Sequence, residues 1–141
     1  MTRQDIESIL SQLLEGWRHR DATALAARHS QDGIFESMLM GPIQGRGNIE
    51  SLYRNWFLAF PDMDFTVEDQ VIEGDQAAIF WSQRGRHVGE FCGLSATGRL
   101  FHVHGAFYYA FASGEIVRTR SVYDITALMI QIGVLKAKPG F

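Results

Sequence analysis

A single cysteine, Cys92, and three prolines stand among 141 residues. One thiol excludes an internal disulfide framework and fits a reducing compartment, so the expected location is cytoplasmic. No apolar run approaches the ~20 residues of a membrane-crossing helix, so no membrane partner is expected. The opening MTRQDIESIL carries early acids and no apolar core of the kind a secretory leader needs. Basic charge is in deficit. Thirteen Lys and Arg against sixteen Asp and Glu leave a formal −3, which argues against nucleic acid as a partner. Internal repeats, low-complexity tracts and linkers are also missing. The chain therefore reads as one domain over 1–135, long enough to bury about two-thirds of its unfolded surface. The basic tail at 136–141, with Pro139 and Gly140, is expected to be disordered.

What is present begins with helical periodicity. Ile6, Ile9, Leu10, Leu13, Leu14 and Trp17 form one apolar stripe. Asp21 can cap a short second helix through Leu25. After Gly33, IFES reads as a brief strand. A third helix follows GRGN, with Ile49, Leu52, Tyr53, Trp56 and Phe60 on one face and Pro61 as its stop. Strands then dominate. MDFTVEDQVIE and QAAIFWSQR make a hairpin at Gly74-Asp75, and RLFHVHGAFYYAFA and EIVRTRSVY make a longer one at Ser113-Gly114. ITALMIQIG closes the chain as a short helix ended at Gly133. Helices first and long antiparallel strands after predict an α+β fold, a curved sheet wrapped over helices with an apolar pocket between them.

GRHVGEFCGLSATGRLFHVHG, between the hairpins, concentrates the residues with chemistry. His102 and His104 share one strand face and His87 could add a third metal ligand, but no acidic ligand stands close in sequence, and no metal is expected. Gly85, Gly89, Gly93 and Gly98 match no phosphate-binding pattern and precede no helix. Cys92 as a nucleophile needs a neighbouring base; otherwise it is a small side chain in a loop. The local chemistry points to a connection.

The spacing within and after that connection resembles the SnoaL-like polyketide cyclases of the nuclear transport factor 2-like fold. The shared elements are Arg84, His87 and Gly89; then Gly93, Thr97, Gly98 and Arg99; then Ser113 to Ile116, Asp124, and Gln131 to Gly133. The resemblance implies a cone-shaped α+β barrel, usually dimeric, with a deep apolar pocket. It also implies ring closure by intramolecular aldol condensation, with neither metal nor organic cofactor. Carbonyl-flanked carbons are acidic enough for a positioned carboxylate to move their protons, and a shaped pocket brings the reacting atoms together.

Strand alternation selects the residues for that pocket. In the long penultimate strand, Phe101, Val103, Gly105, Phe107, Tyr109 and Phe111 are expected inside, with His102 and His104 outside. In the last strand, Val117, Thr119, Ser121 and Tyr123 are expected inside, with Arg118 and Arg120 outside, unless a bulge reverses them. At the positions of the cyclases' acid/base aspartate and pocket histidine, this chain carries Ser121 and Phe107. Two carboxylates remain. Glu36 matches the place where ketosteroid isomerase-type relatives carry their base, and desolvation by Trp56 and Phe107 would raise its pKa; alternatively it is a solvated strand-end glutamate. Asp124 is either part of the site or the cap of the closing helix.

Trp17, Tyr53, Trp56, Trp81 and Tyr109 could stack on a planar ligand or simply form core; Ile49, Phe107 and Thr119 complete the expected pocket. The leading expectation is a cofactor-free enzyme acting on a hydrophobic carbonyl compound by aldol cyclisation or isomerisation. Glu36 would move the proton, and Ser121 or Tyr123 would donate a hydrogen bond to the enolate. The alternative is a binding protein that holds an apolar ligand without turnover. Hydrolysis as in epoxide hydrolases of this fold needs an Asp-Arg-Asp set that cannot be assembled inside the pocket. A homodimer through the outer sheet face is expected in either case.

Overall fold

The computed structural model describes residues 1–136; the expected tail lies almost wholly outside the described residues. Helix α1 (Arg3–Arg18) starts at a reciprocal cap, in which Thr2 Oγ1 accepts from Asp5 N at 3.1 Å and Asp5 Oδ2 accepts from Thr2 N at 2.8 Å. It buries Ile6, Ile9, Leu10, Leu13 and Trp17. Asp21 caps α2 (Ala22–Ala26) by accepting from Ala24 N at 3.0 Å. Helix α3 (Arg46–Ala59) buries Ile49, Tyr53, Phe57 and Ala59, and Pro61 follows its end. Helix α4 (Ile125–Gln131) completes the set.

Six strands form one mixed sheet in the order β2-β1-β6-β5-β4-β3. They are β1 (His29–Ser37), β2 (Gly41–Gln44), β3 (Asp64–Glu73), β4 (Gln76–Arg86), β5 (Leu100–Ala112) and β6 (Glu115–Tyr123). Among the described strands only the β1–β6 pair is parallel. The fold is α+β, with the helices against one face of a mostly antiparallel sheet and one apolar core shared by both layers. The turn joining β5 and β6 puts both Ser113 (φ 52°) and Gly114 (φ 81°) in left-handed conformation, as a two-residue hairpin of this hand requires.

Alternation along β5 follows the expected parity. Phe101, Val103, Phe107, Tyr109 and Phe111 are buried, and His102 and His104 are exposed. Gly105 occupies the inward row because a Cβ there would lie 2.4 Å from the Trp81 ring and 2.6 Å from Val122 O. The β4 indole thus fills the space a β5 side chain would take. In β6 the inward set is corrected at one position. A bulge opposite Ala110 and Phe111 makes Ile116, not Val117, the buried residue before Thr119 and Ser121. Strand β1 also begins earlier than IFES, because it bulges between His29 and Ile34 while remaining on β6. The edge strand β2 escaped the sequence reading, since GPIQ is short and contains Pro42.

Candidate functional site

Between α1 and α3 and the inner face of the sheet lies a cavity of about 710 Å³, within the range for sites that enclose a drug-sized molecule. Its wall is aromatic. Trp17 stacks on Phe65 (4.6 Å, 9°) and on Phe107 (5.7 Å, 19°), and meets Tyr53 edge-on (5.6 Å, 82°). Across the cavity, Trp56 packs edge-on against both Phe91 (5.5 Å) and Tyr123 (5.8 Å). Phe35 and Trp81 complete these surfaces. Leu39, Met40 and Leu58, all substantially exposed, make the rim apolar as well.

The loop carrying Gly89, Glu90, Phe91, Cys92 and Gly93 lines one side of the cavity. Its anchors are the residues of the GRHVGEFCGLSATGR stretch. His87 is fully buried, and its Nδ1 lies 3.0 Å from Thr97 Oγ1. Its backbone N–H donates to Arg99 O at 2.9 Å, and its carbonyl accepts from Gly98 N at 2.8 Å. Val88 and Gly89 N–H groups donate to Ala59 O at 3.0 and 3.1 Å, tying the loop to the end of α3. A Cβ on Gly89 would sit 2.2 Å from Leu58 O, so this approach requires glycine. Gln131 holds α4 on β5 through both backbone groups of His102, at 2.6 and 3.0 Å. The motif therefore spells the frame of the cavity.

Polar groups in the wall are few and almost all neutral. Trp56 Nε1 donates to Gln83 Oε1 at 2.9 Å, and Gln83 is buried. Ser121 faces Phe107 across the β5–β6 ladder, and Tyr123 follows two residues on. Burial, and secondarily the nearby Cys92, raises the Tyr123 pKa, so its hydroxyl remains protonated. Tyr53 Oη lies 2.9 Å from Nε2 of the fully buried His29. Burial, with a smaller contribution from Arg46, pulls His29 down to about 4 and keeps the imidazole neutral. The indole N–H groups of Trp17 and Trp81 are buried without an acceptor among the described residues. Among those residues, Glu90 is the one carboxylate in the wall, and it is exposed.

Several expected site residues are placed elsewhere. Glu36 is not in the cavity. Phe35 takes the inward position, so Glu36 points to the outer face, where Arg118 binds one carboxylate oxygen and Arg120 Nε the other at 2.7 Å. The two guanidinium hydrogen bonds, Arg118 first, hold its pKa below the usual carboxylate value, the reverse of the expected rise. Asp124 caps α4, accepting from Ala127 N at 2.9 Å. Ile49, Tyr109 and Thr119 are buried in core that does not border the cavity. Trp17, Tyr53, Trp56, Phe107, Ser121 and Tyr123 do line it.

Other wall residues were missed from sequence. Ser37 and Phe35 could have been found by alternation from Gly33, but Gln83 and Glu90 carried no pattern that separates them from ordinary core or surface positions, and neither did His29, which lies behind the wall on Tyr53. Cys92 lies at the mouth; partial burial raises its thiol pKa, so it is not an activated nucleophile. His102 and His104 stand together outside, with His104 Nδ1 2.9 Å from Glu68 Oε1, and no metal-binding group of three or more ligands exists among the described residues.

An α+β architecture whose sheet and helices enclose an aromatic cavity is the nuclear transport factor 2-like, or ketosteroid isomerase-like, fold. Residues 7–132 match the SnoaL-like polyketide cyclase family, and the chain belongs to that family. Among solved structures it is similar to AclR of Streptomyces galilaeus, named as a candidate hydroxylase, at 22% identity over 98% of this chain and 91% of that one, with a TM-score of 0.85. It is similar to IdmH of Streptomyces antibioticus, named as a candidate polyketide cyclase, at 26% identity, covering 91% and 98%, with a TM-score of 0.73. A protein of ketosteroid isomerase-like fold from Catenulispora acidiphila, solved with trimethylamine, shares 19% identity over 93% and 97%, with a TM-score of 0.77. No match is found among curated proteins.

Proposed function

We propose that the cavity takes up a hydrophobic carbonyl compound of the polyketide type and promotes its cofactor-free cyclisation or isomerisation by proton transfer. One observation carries this reading: an aromatic cavity whose hydrogen-bonding side chains are nearly all neutral, in a chain of the SnoaL-like polyketide cyclase family. Tyr123 and Ser121 are placed to meet oxygen atoms of such a ligand, and the unpaired indole N–H groups of Trp17 and Trp81 offer further donors to carbonyls. With Glu36 outside, Glu90, the one carboxylate lining the cavity among the described residues, is the proton acceptor. The reaction then needs the carbonyl oxygen held inside while the acidic carbon faces the loop.

The rival reading, binding without turnover, is favoured by the absence of a buried charged group from the described wall. A single experiment separates the two. Incubated with an aromatic β-polyketone ester in deuterated water, the protein should accelerate deuterium uptake at the carbon between carbonyls, and Glu90→Gln should abolish that acceleration while leaving ester binding intact. Binding with no exchange by the unaltered protein would establish the binder instead.

The same proposal places a second copy of the chain on the outer sheet face. Phe80, Val71 and Val122 are 49–60% exposed there, which supports a covered surface; light scattering should return twice the monomer mass. A lone free thiol supports residence in a reducing compartment, the cytoplasm.

A further inference from the structure

We propose that Tyr53 donates the hydrogen bond to the carbonyl oxygen of the ligand, and that His29 is a positioning residue which turns the phenol hydrogen toward the cavity. The inference rests on the reading of the cavity as a carbonyl-compound site and adds to it the identity of the donor. Only one hydrogen can lie between Tyr53 Oη and His29 Nε2, 2.9 Å apart. If the phenol supplied it, the neutral imidazole would carry its own hydrogen on Nδ1. That atom is buried and has no partner among the described residues, and a buried N–H without an acceptor carries the full desolvation penalty of the group. If Nε2 supplies it, Nδ1 keeps a bare lone pair, a milder loss, and Tyr53 accepts. The phenol hydrogen is then free. His29 is the one partner of Tyr53 Oη among the described residues, and Tyr53, packed edge-on against Trp17 and Phe35, also lines the cavity.

The charged and titratable surroundings favour this arrangement. Arg46 Nε donates to the His29 carbonyl at 3.0 Å, while its Nη2 meets Glu115 at 2.9 Å. A guanidinium beside a buried imidazole disfavours the imidazolium. Tyr109 is the other buried phenol close to Tyr53, and burial raises the pKa of both. Tyr53 therefore stays a donor rather than a phenolate. The neutral histidine serves only as a directional anchor, and no proton needs to pass through it.

The sequence signal for this pair was weak. Tyr53 lies on the buried face of an amphipathic helix, and His29 sits before the bulge of β1. Nothing in their spacing of 24 residues announces a contact.

Two measurements on the full chain test the inference. Long-range proton–nitrogen NMR of the histidine-labelled protein at pH 7 should show His29 neutral with its hydrogen on Nε2; a hydrogen on Nδ1, or an imidazolium, overturns the proposal without reference to any ligand. The second uses 2-acetylnaphthalene, with naphthalene as the control lacking oxygen. The carbonyl stretch of the bound ketone should move to lower frequency. Tyr53→Phe should remove that shift and cut the ketone-to-naphthalene affinity ratio about tenfold. A shift that survives in Tyr53→Phe assigns the donor elsewhere and overturns the proposal. Naphthalene tests the cavity alone: its failure to bind would count against the pocket reading, with the tautomer still deciding the role of His29.

Discussion

The two faces of β5 and β6 are built from alternate residues of the same strands, yet they hold opposite chemistry. Inward stand Phe107, Tyr109, Thr119 and Ser121, all buried and uncharged; outward stand His102, His104, Arg118 and Arg120, all exposed. The carboxylates follow the same division, with Glu68 on His104 and Glu36 on the two arginines. A single residue step therefore separates an ion-pair lattice from an aromatic cavity. Charge is cheap to keep on the wet face and costly on the dry one. The difference shows why this cavity can offer hydroxyls and indoles, while among the described residues its one carboxylate comes from the loop that carries Glu90. Chemistry inside such a wall begins by holding a carbonyl oxygen with neutral donors.

The largest contrast between the faces should appear on aromatic truncation. Trp17 is 3% exposed and touches four other rings, whereas Phe80 on the outer face is 49% exposed. Trp17→Ala should destabilise the protein by about 4 kcal/mol, and Phe80→Ala by no more than about 0.5 kcal/mol in the monomer. Urea midpoints at a constant m-value measure both. Equal losses would break the distinction between the faces.

Next in size is the buried imidazole. His29 is depressed to about 4 from an ordinary value near 6.5, burial being the main cause. Between those values the unfolded chain binds a proton that the folded chain refuses, so stability rises with pH and is lost as pH falls. Going from pH 7 to pH 4 should cost about 3 kcal/mol from this residue alone. His29→Gln should remove the part of the slope that His29 supplies, read from unfolding curves at half-unit pH steps; His102, lowered first by desolvation and then by Arg84, adds slope of the same sign that the variant keeps. A slope unchanged in that variant would shift the acid sensitivity to the outer face.

A smaller effect is expected where the cavity frame meets α3. Gly89→Ala forces a methyl group against Leu58 O, and the loop must move away from Ala59. The expected loss is about 2 kcal/mol, with faster amide exchange at Val88 and Gly89 and unchanged exchange in β5. Because the loop carries Glu90 and Phe91, this variant should also weaken naphthalene binding, although Gly89 contributes no side chain to it.

The order of helices and hairpins was legible because each element carried its own period and its own stop, from the α1 stripe to Pro61 and Gly133. Parity in β5 was equally legible, since thirteen residues of regular alternation leave little freedom. Where the chain bulges, that rule lost its hold, and Ile116 replaced Val117. The site was legible only in its aromatic half. Trp17, Tyr53, Trp56 and Phe107 announce themselves by size, but the partner of a hydroxyl is decided by tertiary contact. His29 meets Tyr53 across 24 residues, from the start of β1, where it pairs with Ile116 of β6 ahead of the bulge. Glu36 was misplaced for a different reason. Likeness to a family position carries no information on which side of β1 a residue faces, and the buried Phe35 already commits its neighbour to the other side.

Glu36→Gln should produce the smallest effect and sharpen the comparison most. Its carboxylate is bound by Arg118 and Arg120, which hold its pKa below the usual range. The folded state therefore favours the ionised form. The resulting stabilisation is present above the ordinary carboxylate pKa and disappears as pH falls through the lowered one. The three side chains are partly exposed in the monomer and screened by salt, so the glutamine variant should melt close to the original at pH 7 when measured on the monomer. It should lack only the acid-range slope that Glu36 supplies. Affinity for 2-acetylnaphthalene and its carbonyl shift should be identical in both proteins, because Glu36 and the cavity lie on opposite sides of the sheet. A ligand affinity that falls with this substitution would mean that the ionic face reaches the cavity through the strand, and the separation of the two faces would have to be abandoned.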